Sequence, residues 1–546
     1  MKRALFLSFL MLCALFLHLY KLHTVPPGFN ADEAAYGYNA YSILNTGADE
    51  FGNKFPLRLV SFGDYKLPGY SYLAIPFIAL FGLNETATRL PALISAILLI
   101  PAMYFLAKLL LNKNIALVTA FLATFSPWIH ILARHAHEAV PMTLFIVLSL
   151  IYLVKYVRNK NKLTDALLFI VFISLSLFIY HSARVLYVGF MSYFLYHVIK
   201  SKEFSKRNLF SCGILILALL MPFIIAEVNQ PPERLKNLFL FSNNGIQLIA
   251  NQMKIEFAHS LFSTTLFIGL YEFSRRYLEY FSTDFLAING DPNFRFGFPT
   301  MAPITIVEYV LFTVGFIYMY GQIKTKKYFL ILFMLFLAPL PAALTWQEKG
   351  LNRAYFMIVP ILLFISWALY NLWHDREKIF GFRMLSIFSL GLYIMLTVYA
   401  WEFFFFHYPH RATTIRSWQC GYKELVQEIQ KNYPNENIYI TRENGQPYIY
   451  VLFYLQYSPN KFSKTINTTA SDKYGFTQVT GFDRFIFSTD RRPNDSPKTL
   501  YVLSQAEAQN QDKTNGKKHI RSILCGTEHM FELYTPVTTA KINQTK

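Results

Sequence analysis

Apolar runs of roughly 17–24 residues recur along the chain, the length a helix needs to cross a bilayer. Short polar segments separate them. The pattern predicts eleven spans, at about 3–20, 89–111, 114–131, 138–157, 164–180, 184–200, 208–226, 304–323, 328–344, 354–373 and 382–402. "YSYLAIPFIALFG" (Tyr70 to Gly82) and "FAHSLFSTTLFIGLY" (Phe257 to Tyr271) are apolar but short. They read as interfacial or re-entrant segments. After about residue 405 the pattern changes. "GYKELVQEIQKNYP" has the period of an amphipathic helix, and "NIYIT", "RFIFST" and "TLYVLS" have that of strands. "NDSPK" and "NQDKTNGKK" read as surface loops.

The polar segments sort by charge. Lys108, Lys113, Lys155, Arg158, Lys160, Lys162, Lys200, Lys202, Lys206, Arg207, Lys324, Lys326, Lys327, Arg376, Lys378 and Arg383 fall on one side of the alternation. The other side holds Arg134, Arg184, Lys349 and Arg353. The positive-inside rule places the first set and the N-terminus in the cytoplasm. Met1-Lys2-Arg3 and the run behind it then read as an uncleaved first helix. External segments follow at 21–88 and 227–303, with an external tail. The expected fold class is mainly α: a polytopic helical bundle (residues 1–405) and a small extracytoplasmic α/β domain (residues 406–546).

Composition agrees. Hydrophobic residues make up 54% of the 546 and charged ones 15%, against about 25% in soluble domains. The net charge of +18 follows from cytoplasmic loops, so no nucleic-acid partner is expected. Cys13 and Cys212 fall within spans. Cys420 and Cys525 fall in the external domain, where an oxidising compartment would let them pair; buried free thiols are the alternative.

"FNADEAAYGYNAY" (Phe29 to Tyr41) sets two acids, Asp32 and Glu33, just beyond the first span. Asn30 as cap with Glu33 three residues on approximates a capping box, which alone would explain both acids. Other ionisable groups gather at external span ends: Lys66 in "FGDYKLPGY", Arg89, then Arg134, His135, His137 and Glu138 in "ARHAHEAVPM", then His181, Arg184, Lys349 and Arg353. Singly each reads as a snorkelling side chain or an end cap. Together they put acids and cations at one membrane face. Acids beside cations suit transfer of a sugar from a lipid-linked phosphate. One carboxylate takes the acceptor's proton, and cations stabilise the leaving phosphate.

The stretches "PPGFNADEAAYGYNAY", "TGADEFGNKFPL", "FGDYKLPGYSYL", "ATRLPALISAI" and "SPWIHILARHAHEAVPM" resemble the GT-C membrane glycosyltransferases. The specific likeness is to bacterial relatives of the dolichyl-phosphate-mannose–protein mannosyltransferases and of the lipid A aminoarabinose transferase. It is strongest over about residues 20–145. The resemblance implies a polyprenyl-phosphate sugar donor, Asp32 as catalytic base beside Glu33, Lys66 on the donor phosphate, and Glu138 helping to shape the site. Arg89, Arg134, Arg184 and Arg353 are the further candidates for the phosphate. No cofactor is required; some members of the family bind a divalent metal, for which His137 and Glu138 are candidate ligands. The expected enzyme is an inverting hexosyl- or pentosyltransferase of the inner or plasma membrane with an extracytoplasmic site. Its acceptor would be a protein, lipid or glycan. The alternatives are a transporter or flippase of lipid-linked sugars, and a polysaccharide ligase.

Overall fold

The structure, a computed structural model, describes residues 2–158, 162–201, 205–231, 237–257, 261–297, 302–321, 326–374, 380–470, 477–488 and 498–537. The cations expected at Lys160, Lys202, Lys324, Arg376 and Lys378 lie outside the described residues, as does the loop 494–498 apart from Lys498. The chain divides into two compact units, Met1–Leu22 with Leu67–Tyr70 and Arg89–Phe406, and His23–Lys66 with Ser71–Thr88 and His407–Lys546.

The first unit is helical. Helices stand at every predicted span: Lys2–Leu19, Glu85–Leu110, Lys113–Phe125, Ala139–Arg158, Leu163–Ser176, Ala183–Ser201, Lys206–Asn229, Ile306–Tyr320, Lys326–Leu337, Ile358–His374 and Phe380–Glu402. Among the described residues, six helices are long and apolar enough to cross a membrane, and a seventh forms if Lys113–Phe125 is joined to Pro127–Ala133. The chain is a multi-pass membrane protein. Full-length spans at all eleven positions are the part that changes. Pro127 lacks an amide and restarts the third helix after a 48° bend. Pro339 and Pro341 close the helix Lys326–Leu337 in the same way. Caps set other ends: Asn112 accepts the amides of Asn114 and Ile115, and Thr305 with Glu308 forms a capping box. Gly69–Phe81 is a helix of only 13 residues. The stretch 257–271 is divided between the end of Asn244–Phe257, a turn at Leu261–Ser263 and the start of Thr265–Glu279.

The second unit joins an early segment to the tail. A hairpin pairs β1 (Leu59–Ser61) with β2 (Asp64–Lys66). In the tail, β3 (Asn437–Ile440), β4 (Asn467–Thr468), β5 (Val479–Phe482), β6 (Phe485–Ile486), β7 (Thr499–Leu503), β8 (Lys517–Cys525) and β9 (Glu528–Pro536) form one sheet in the order β4-β5-β6-β3-β7-β9-β8. β3 runs parallel to both its neighbours, and the other pairs are antiparallel. The predicted amphipathic helix spans Tyr422–Asn432 and buries Leu425, Val426 and Ile429. Phe29, Ala34, Ala35 and Tyr38 share one apolar core with Leu425, Ile438, Ile440, Leu452, Phe531 and Leu533. The helix Ala31–Thr46 is thus a structural part of the α/β unit. Cys420 and Cys525 are joined as a disulfide, their Cα atoms 6.1 Å apart.

Candidate active site

In the second unit, the acids of "NADE" begin a helix. The Asn30 side chain accepts from the amides of Asp32 at 2.9 Å and Glu33 at 3.2 Å. The Glu33 carboxylate accepts in return from the Asn30 amide at 3.1 Å. Glu33 is buried completely and serves the cap. Asp32 does not share that duty. Its side chain remains 45% exposed, and its carboxylate meets the Lys66 ammonium at 2.5 Å. Lys66 ends β2, so the antiparallel hairpin fixes its reach. Its ammonium also lies 4.3 Å from the ring centre of Phe62 and 5.4 Å from that of Tyr36, a placement that aromatic faces favour for a cation.

Two further acids stand nearby. Asp49 is buried and accepts from the Phe51 and Asn53 amides and from the Asn53 side chain. Glu50 is buried completely, accepts from the Tyr448 hydroxyl at 3.2 Å, and lies within the fields of Lys66 and Asp49. Burial, reinforced by Asp49, pushes its carboxyl up to about 8. Sequence reasoning missed Glu50. "TGADEFGNKFPL" shows a second acid pair, but its partner Tyr448 lies 398 residues away.

The first unit contains a different arrangement. Arg134 is buried completely and donates to the carbonyls of Leu17 at 2.7 Å, His18 at 2.8 Å and Tyr20 at 2.8 Å. These close the C-terminal end of the helix Lys2–Leu19, so Arg134 is an end cap. Arg89 places a guanidinium nitrogen 3.5 Å from the Leu22 carbonyl. Arg184 pairs with Glu227 at 2.9 Å. Arg353, Glu138 and Asp291 each act on Tyr180 through their charge. Asp291 is buried, accepts from the Leu351 amide at 2.8 Å, and is pushed up to about 6 by desolvation. The Tyr280 hydroxyl accepts from the Gly350 amide at 3.0 Å. These two bonds fix the turn that leads to Arg353. No role for Asp291 or Tyr280 was assigned from the sequence.

The metal reading of His137 and Glu138 meets an obstacle. His137 Nδ1 accepts the Ala139 amide at 3.1 Å and lies 3.7 Å from Glu138. Among the described residues, no three His, Cys, Asp or Glu side chains are grouped so as to hold a metal. His137 and Glu138 therefore do not fit a metal centre. His135 is buried, and burial with the cationic field of its neighbours holds it well below the usual imidazole range.

The fold is that of the GT-C membrane glycosyltransferases, and residues 66–225 match the family described as dolichyl-phosphate-mannose-protein mannosyltransferase. Among solved structures, the chain is similar to ArnT from Cupriavidus metallidurans in the apo state, with TM-score 0.58 and 12% identity over 98% of this chain and 99% of that one. ArnT bound to undecaprenyl phosphate matches with TM-score 0.56 and 10% identity over 98% of each chain. At such identities the likeness is one of fold. The oligosaccharyltransferase AglB from Archaeoglobus fulgidus, in complex with an inhibitory peptide and a dolichol-phosphate, gives TM-score 0.48 and 12% identity over 82% of this chain. This chain spans 63% of the AglB length. A search of curated protein sequences gives no match.

Proposed function

We propose that this protein is a membrane glycosyltransferase that moves a sugar from a polyprenyl-phosphate donor to an acceptor on the extracytoplasmic side, with Asp32 as base. The observation that carries this reading is the Asp32–Lys66 pair at 2.5 Å on a capped helix terminus. Glu33 is committed to the cap, which leaves Asp32 as the acid of the pair that can face a substrate. The ArnT structure with undecaprenyl phosphate and the family match over residues 66–225 support the donor class.

In this mechanism the acceptor O–H gives its proton to Asp32 as its oxygen attacks the anomeric carbon. The bond from that carbon to the phosphate oxygen breaks, and the polyprenyl phosphate departs with the electron pair. A phosphate leaves without a proton donor, so a cation suffices on that side. Lys66 has three donors; one holds Asp32, and the others serve the phosphate. A single displacement of this kind inverts the anomeric centre.

The test is incubation of purified protein with a panel of undecaprenyl-phosphate hexoses and aminoarabinose and with peptide, lipid A and glycan acceptors, products being read by mass spectrometry. A glycosylated acceptor of inverted configuration, lost in Asp32→Asn, is expected. Retained configuration, or turnover undiminished in Asp32→Asn, would contradict the mechanism.

A further inference from the structure

A helix begins with four amides that have no partner within it. In the helix that carries Asp32, all four have been given one. The Asn30 amide goes to Glu33, and the Asp32 and Glu33 amides go to the Asn30 side chain. The Ala31 amide donates to Gln419 Oε1 at 2.9 Å, across 388 residues of sequence. Asp32 is the next residue, so this bond fixes the turn from which its carboxylate projects.

Gln419 is itself held on several sides. The same Oε1 accepts from the Tyr450 hydroxyl at 2.8 Å, and Nε2 donates to the Asn444 carbonyl at 2.8 Å. Its backbone lies at φ +52°, a region that residues with a β-carbon rarely enter. Such conformations persist where surroundings over-determine them, and they concentrate at functional sites. The next residue, Cys420, is bonded to Cys525. The two segments also touch through their backbones: a β-carbon on Gly28 would fall 2.3 Å from the Trp418 carbonyl oxygen. The loop before Asp32 is therefore seated on a short segment braced by a disulfide.

We infer that Gln419 is a positioning residue for Asp32, through which the C-terminal domain sets the direction of the catalytic carboxylate. This rests on the reading of Asp32 as base. It gives the C-terminal domain a part in the reaction itself. Without Gln419 the first turn loses an amide partner, and Asp32 can turn away from the acceptor while the helix, buried in its core, remains folded.

The test uses the full chain in lipid nanodiscs. With a donor and acceptor from the panel above, Gln419→Ala is expected to lower kcat about tenfold, since small misplacements of a reacting group are costly, with KM for the donor changed less than about twofold. Gln419→Glu keeps the acceptor oxygen but adds a charge one residue from Asp32, whose titratable neighbours are Lys66, Glu33 and Tyr450. It should keep more of kcat than Gln419→Ala and move the acid limb of the pH profile upward. A second reading needs no substrate. In Asp32→Cys, with Cys13 and Cys212 changed to Ser, the pH dependence of reaction with an impermeant methanethiosulfonate reports the thiol's surroundings. A thiol beside Lys66 at a helix N-terminus titrates below the free value of about 8.5, and adding Gln419→Ala should raise that midpoint by about half a unit or more. A merely structural glutamine would leave it in place. An unmoved midpoint, or wild-type kcat in Gln419→Ala while Asp32→Asn is inactive, overturns this inference alone. Full turnover in Asp32→Asn overturns the base assignment instead, and this inference with it. Should Gln419→Ala fail to fold, an unshifted acid limb in Gln419→Glu overturns the inference.

Discussion

In the second unit, Lys66 and Asp32 meet at 2.5 Å with the carboxylate side chain 45% exposed; in the first, Arg134 is buried and surrounded by three carbonyls at 2.7–2.8 Å. Both are charged side chains at a helix terminus. At the N-terminal end of Ala31–Thr46, the cap is made by Asn30 and Glu33, and Asp32 pairs with Lys66 instead. At the C-terminal end of Lys2–Leu19, the cation is the cap, and none of its charge faces solvent. A charged residue near a membrane face is therefore informative only once its backbone partners are known. Exposure beside an opposite charge points to reaction, whereas burial against carbonyls points to folding.

The contrast can be broken by mutation. Lys66→Ala should lower kcat/KM by about two orders of magnitude, because a cation whose contact tightens as phosphate charge develops acts on the chemical step. Lys66→Arg should restore only part of this, since a planar guanidinium cannot replace a compact ammonium at close quarters. Steady-state kinetics checks both; a change of less than about twofold in Lys66→Ala would assign the phosphate to another cation. Arg134→Ala should act on folding instead. It leaves three carbonyls without their charged donor, and hydrogen bonds to charged groups contribute about 1.5–3 kcal/mol each. The expected result is a large fall in Tm, read by thermal unfolding in detergent, with near-normal kcat in whatever fraction remains folded. A stable but inactive Arg134→Ala would contradict the end-cap assignment.

Glu50 gives the smallest effect and a defined sign. Its carboxyl is pushed up to about 8 in the folded unit, against about 4.3 in an unfolded chain. Between those values the folded state holds the extra proton, so this group's stabilisation declines as pH rises from about 4.3 and is gone above about 8. Glu50→Gln keeps an oxygen for the Tyr448 hydroxyl and removes the titration. Its Tm should exceed that of the wild type at pH 8 by a few degrees and match it near pH 4.5. Thermal scans at both pH values check this; an equal gap at both would show that Glu50 does not titrate in that window.

Much of this was legible in the chain. The helices at the predicted spans follow from apolar runs alone, and the capping box at Asn30 follows from residues three apart. "GYKELVQEIQKNYP" and "TLYVLS" became the helix and strand their periods predict. The long β8–β9 hairpin was not read. β8 is largely exposed along its length, and a strand without a buried face has no alternation to detect. The roles of Gln419, Tyr448 and Asp291 were not legible for another reason: each acts on a residue far away in sequence, where no local period reaches. Arg134 was visible as a cation at an external span end, but its partners on the first helix were not. The pairing of Cys420 with Cys525 was one of two open readings, because 105 positions of separation say nothing about distance.

The most direct measurement is the transfer rate of Asp32→Asn in protein whose Tm and elution profile match the wild type. A positioned base contributes about 10²–10⁴-fold, so the rate should fall at least about a hundredfold, with donor binding retained. A folded Asp32→Asn protein that transfers sugar at near the wild-type rate would contradict the assignment of the reaction to this carboxylate.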